Sequence, residues 1–81
     1  MKLPRDVSGR ELVLSLERAF GYQMVHQVGS HVILQTGSPR HHRLAVPDHR
    51  TLRQGTLNSI IRAVAAAHGI SRTQALERLF G

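Results

Sequence analysis

The chain predicts an α+β fold of order α-β-β-β-α, with a short extra C-terminal helix and a three-stranded antiparallel sheet. Three observations carry that expectation. A capping box opens an amphipathic segment, a glycine-first two-residue spacing joins two β-branched-rich segments, and a second apolar stripe stops at a glycine just before another capping box.

Ser8-Gly9-Arg10-Glu11 has the S-x-x-E spacing in which Ser8 accepts from the N–H of Glu11 while Glu11 reaches back to Ser8. Leu12, Val13, Leu16, Ala19 and Phe20 then recur at helical spacing, with Arg10, Glu17 and Arg18 opposite. Gly21 is placed to end this helix, which runs from Gly9 to Phe20, in a left-handed cap. Tyr22 to Val28 and His31 to Thr36 read as two strands joined by a tight turn at Gly29-Ser30. Gly37-Ser38-Pro39 is a further turn cluster. Arg43 to Pro47 is a third strand that ends at Pro47, which cannot donate to a ladder. The three strands form a meander. Thr56 is placed to cap a second helix with buried stripe Leu57, Ile60, Ile61 and Val64 and stop Gly69. Ser71-Arg72-Thr73-Gln74, with Ile70 and Ala75 at staple positions, opens the short terminal helix through Leu76, Leu79 and Phe80.

With 81 residues the chain supports one hydrophobic core, so residues 1–81 are expected to form a single domain and a multidomain enzyme is excluded. A 41% hydrophobic content with 7 glycines is that of an ordinary globular chain. No apolar run reaches the ~18–20 residues of a membrane span, and Met1 to Arg10 lacks the apolar region of a signal peptide. The expectation is a soluble, cytoplasmic protein without membrane contact. The absence of cysteine excludes disulfide scaffolds, thiol nucleophiles and cysteine-based metal sites. A formal net charge of +6, with ten of the eleven cations arginine, points to a polyanionic partner, because the planar guanidinium matches phosphate.

The basic residues are densest from Arg40 to Arg53. There Arg40, Arg43, Arg50 and Arg53, with His41 and His42 between them, face one acid, Asp48. This is the best phosphate-binding stretch or, on the plainer reading, a solvated loop. Lys2 and Arg5 are weaker candidates. Stacking platforms for single-stranded nucleic acid are scarce: only Tyr22, Phe20 and Phe80 are aromatic, and both phenylalanines fit a core. No P-loop, paired carboxylates or serine triad spacing occurs. Adjacent strand positions point to opposite faces, so His41 and His42 do not make a metal pair, and no metal or cofactor is expected.

Several of these segments combine into an ordered set. They are the opening from Ser8 to Gly21, then Gly29-Ser30-His31, then Val46-Pro47-Asp48-His49, then Gly55-Thr56-Leu57 with Ile60-Ile61-Arg62. Over about residues 2–71 the chain resembles the HicA toxins, and its element order resembles the double-stranded RNA-binding domain. The resemblance implies a small endoribonuclease that cuts mRNA independently of the ribosome and is silenced by a cognate HicB-type antitoxin. It also implies that the histidine of the G-S-H motif, here His31, is required for cleavage and is masked by that antitoxin.

The chemistry of RNA fits such a site. RNA carries its own nucleophile, and a histidine, ordinarily titrating near neutrality, can take the 2′-OH proton while cations offset charge on the phosphoryl oxygens. No metal is needed in that scheme. Gly29 admits a close RNA backbone, and Ser30 either bonds phosphate or finishes the turn. His49 is a candidate RNA contact and general acid, or else part of a turn after the strand. His26 and His68 fit packing roles. Ala63 to Ile70 makes a longer link than the family pattern, so the second helix is expected to be extended and the terminal helix tilted. Two other readings compete: a non-catalytic double-stranded RNA-binding module, and an interaction protein with an acidic partner.

Overall fold

A computed structural model describes residues 2–81. Its elements are α1 (Gly9–Phe20), β1 (Gln23–Val28), β2 (His31–Thr36), β3 (His42–Pro47), α2 (Gln54–His68) and α3 (Arg72–Phe80). This is the expected α+β order with its extra C-terminal helix, on an open antiparallel sheet of order β1-β2-β3.

The caps explain where the helices begin and end. Ser8 Oγ accepts from the Glu11 N–H at 3.0 Å and Glu11 Oε1 from the Ser8 N–H at 3.1 Å. Ser71 and Gln74 repeat the arrangement at 3.0 and 2.8 Å for α3. Boxes of this kind satisfy donors that a helix start otherwise leaves orphaned, each cap contributing about 0.5–2 kcal/mol. Gly21 and Gly69 end α1 and α2 in the left-handed conformation. The expected Thr56 cap is not used. Leu52 is drawn into the core with its N–H on the Val7 carbonyl at 2.7 Å, which turns the chain into the helix at Arg53, and Thr56 falls inside the first turn. No side chain caps α2, although the Gln54 side chain donates to the Pro4 carbonyl at 2.9 Å. As expected α2 is long, with 15 residues reaching His68.

Strand register decides which residues meet solvent. In β2 the buried Val32, Leu34 and Thr36 alternate with His31, Ile33 and Gln35. Facing residues of paired strands point to the same side. Val32 and Leu34, with their partners Val46 and Leu44, therefore turn towards the helices. The opposite, open face carries His31, Ile33 and Gln35 between His26, Val28 and Gln23 of β1 and Pro47, Ala45 and Arg43 of β3. Under the helix-facing side lies one core, in which Leu12, Leu16, Leu34, Leu57, Ile61 and Leu76 are fully buried. Burial contributes roughly 1.5–3 kcal/mol for each such side chain. Strand β1 is exposed throughout, with Met24, Val25 and Val28 in solvent, and a bulge between Met24 and His26 interrupts its ladder. Among the described residues no helix is long and apolar enough to cross a membrane.

Candidate functional site

The hairpin turn, the end of β3 and the start of α1 converge at one end of the sheet. Of the two residues of this turn, Gly29 has a positive φ, 58°, and Ser30 does not, as a glycine-first turn requires. The Gln27 side chain donates to its carbonyl at 3.1 Å. His31 follows as the first residue of β2, exposed on the open face between Val28 and Pro47. The ladder continues past β3 through Asp48, whose N–H donates to the Ser30 carbonyl at 2.6 Å. The Gly9 N–H then donates to the His49 carbonyl at 2.9 Å. This contact admits only glycine, since a Cβ at position 9 would lie 1.9 Å from the Pro47 carbonyl oxygen.

Two helix N-termini point to this end, because α1 starts against His49 and α2 starts beside Val7 and Pro4. Backbone N–H groups and the helix dipole give a helix a positive start, which the Glu11 carboxylate offsets at α1 and nothing in its first turn offsets at α2. The first turn of α2 holds no acid, and Arg50 and Arg53 are exposed just before it. Gly29, Ser30, His31, His49, Arg50 and Arg53 are thus gathered on one end. Exposed Arg10 adds a cation there, lining with Asp48, Gln27 and Val32 a cleft of about 160 Å³.

Arg43 and Arg40 lie elsewhere. Arg43 pairs with Gln35 on the open face, most of a strand length from His31. Arg40 precedes β3 at the far end, about 17 Å away at ~3.4 Å per strand residue. Its guanidinium is occupied there, donating to the Ala66 and Ala67 carbonyls at 3.1 and 3.3 Å and so capping the C-terminus of α2. The basic run that looked continuous in the sequence is divided by β3 between two ends.

The far end has its own histidine cluster. The Tyr22 hydroxyl lies 2.7 Å from His42 Nδ1 and 3.1 Å from His68 Nε2, and the His68 ring packs on Phe20 with centroids 4.6 Å apart. A hydroxyl has one proton, so it donates to one imidazole and accepts from the N–H of the other. Burial pushes the Tyr22 hydroxyl up to about 12. Burial also lowers His42, helped by the charges of Arg40 and His41, and it lowers His68, helped by Arg78 and His42. Tyr22, 1% exposed, is therefore no stacking platform; its aromatic ring belongs to the core.

His26 is the residue sequence reasoning passed over. It is exposed on the open face, opposite Ile33 and one diagonal from His31. Counting back from the two-residue turn gives this pairing, because Val28 must then face His31 and His26 must face Ile33.

An α-β-β-β-α chain whose basic end presents an exposed histidine directly after a glycine turn is the class of protein at hand. A family model described as HicA toxin of bacterial toxin-antitoxin matches residues 9–65, more than half of the chain. The chain belongs to the HicA toxin family and thus to the toxins of toxin–antitoxin systems. No curated protein and no solved structure matches it.

Proposed function

We propose that the chain is an endoribonuclease that cleaves mRNA with His31 as general base, without a metal, and is silenced by a HicB-type antitoxin that covers His31. The observation that carries this reading is the place of His31: exposed, at the rim of the open face, at the end where Arg50, Arg53 and the uncapped N-terminus of α2 lie. The 2′-OH gives its proton to His31 and attacks the adjacent phosphorus, and the 5′-oxygen departs to leave a 2′,3′-cyclic phosphate. Gly29 and Ser30 let the backbone approach the turn, while His49, Arg50 and Arg53 hold phosphate. Arg43 takes the strand further along the sheet towards Arg40, whose guanidinium is shared with the Ala66 and Ala67 carbonyls. Acting on mRNA places the protein in the cytoplasm, with RNA and the antitoxin as its partners.

The test is incubation of wild type and His31→Ala with a defined single-stranded RNA in EDTA, followed by analysis of the product ends. Removing a general base costs about 10²–10⁴-fold in rate. The variant should lose cleavage by that factor while keeping its fold and RNA affinity. Equal cutting by both proteins would remove His31 from the mechanism. RNA binding with no cut product from wild type would favour the non-catalytic RNA-binding module.

A further inference from the structure

We propose that His26 is the general acid of the same reaction, the group that protonates the departing 5′-oxygen. The assignment rests on the ribonuclease reading of His31. A single base leaves half of the proton traffic unassigned. The 2′-oxygen forms its bond to phosphorus as the bond from phosphorus to the 5′-oxygen breaks, and an unprotonated alkoxide is a poor leaving group. One proton passes from the 2′-OH to His31 and another from the His26 imidazolium to the 5′-oxygen. The two histidines finish with exchanged protonation states, which water restores.

Register places His26 for this task. Val28 faces His31, so His26, two residues before it, is the diagonal neighbour on the same face. Diagonal pairs lie roughly 7–8 Å apart, within reach of long or aromatic side chains. Two imidazoles at that spacing can approach one phosphate from its two sides. The residues between and beside them are uncharged: Val28, Ile33, Ala45 and Pro47 form the open face around His31. Gln27, by contrast, pairs with buried Val32 and lines the cleft on the helix side, which confirms that His26 turns the other way. His49 comes two residues after Pro47, the partner of His31, but it lies beyond the paired residues of β3, where its carbonyl accepts from the Gly9 N–H and no ladder fixes its side chain beside His31.

The experiment compares wild type, His26→Gln, His49→Gln and His31→Ala on two short RNAs, one ordinary and one with sulfur in place of the scissile 5′-oxygen. A thiolate departs without protonation. His26→Gln should cut the ordinary RNA at least about 10²-fold more slowly yet cut the sulfur-containing RNA at the wild-type rate. Its pH–rate profile should lose the alkaline limb of the wild-type bell, and His31→Ala should fail on both substrates. Because His26 is exposed, circular dichroism of His26→Gln should match wild type. Equal rates on ordinary RNA, an equal loss on both substrates, or sulfur rescue of His49→Gln instead would each overturn the assignment while leaving His31 in place. If wild type cuts neither RNA, the ribonuclease reading falls and the assignment with it.

Discussion

At one end of the sheet Tyr22 gathers His42 and His68 around a single hydroxyl, and Arg40 spends its guanidinium on the last carbonyls of α2. At the other end His26, His31 and His49 stand exposed, with Arg50 and Arg53 beside an α2 start that no acid or side-chain cap neutralises. The same two residue types are consumed by structure in one place and left available in the other. Burial makes the difference. A half-buried imidazole must find a partner and resists charge, whereas an exposed one keeps both nitrogens for a ligand.

The sharpest way to break this contrast is to loosen the backbone that builds the His31 end. Gly9→Ala puts a methyl group onto the Pro47 carbonyl, which cannot rotate away, so α1 must lift off the Pro47–His49 segment. Such overpacking costs about 1–3 kcal/mol, and at about 4–8 °C per kcal/mol for a domain of this size the melting temperature should fall by roughly 4–24 °C. Gly55→Ala is the control. A methyl group there meets nothing within 4 Å, in a helix that prefers alanine by roughly 0.5–1 kcal/mol, so it should raise the melting temperature. Equal shifts from both variants would show that the close approach at Gly9 carries no load.

Next in size is the far end. Tyr22→Phe removes the hydroxyl shared by two imidazoles and leaves their nitrogens without that partner, at a cost of about 1–3 kcal/mol. The same cluster predicts a pH dependence. His42 and His68 titrate below their ordinary 6.5, so between 6.5 and their folded values the unfolded chain binds more protons. Their stabilisation is fully present above about pH 6.5 and declines as the pH falls towards the lowered values. Tyr22 works in the other direction, its contribution being lost as pH rises from 10 towards about 12. Thermal melts from pH 8 to pH 5 should show the acid loss in wild type and a comparable one in Tyr22→Phe, because a phenyl ring leaves both imidazoles buried beside Arg40 and Arg78. A clearly smaller loss in the variant would assign the effect to the shared hydroxyl instead of burial.

Local rules made most of this fold legible. The Ser8 and Ser71 boxes, the glycine stops and the Gly29-Ser30 turn each act within a few residues, so spacing alone reveals them. The start of α2 was not legible, because it follows from a contact between Leu52 and Val7, distant in sequence, and not from any cap. The inward turn of Tyr22 was hidden for the same reason: its partners His42 and His68 come from β3 and α2. In the candidate site, motif spacing marked His31, and hairpin counting was enough to put His26 beside it. The division of the arginines needed the sheet, since a strand of six residues carries the chain from one end to the other between Arg40 and Arg50.

That division predicts the smallest and most discriminating effect. Each phosphate contact on a single strand adds about 0.7 to the slope of log affinity against log salt. If Arg50 and Arg53 hold phosphate as proposed, Arg50→Ala and Arg53→Ala should each lower that slope by about 0.7 and weaken all RNA sequences alike. Arg40→Ala should lower it by less, because the Arg40 guanidinium already serves two carbonyls and must leave them to meet a phosphate fully. Its clearer effect should be on melting, where loss of the α2 cap removes a few tenths of a kcal/mol to about 1 kcal/mol. Fluorescence anisotropy of a labelled RNA with each variant, from 50 to 300 mM salt, separates the cases. A slope change in Arg40→Ala as large as in Arg53→Ala would place RNA along the whole open face, with both ends of the sheet sharing the strand equally.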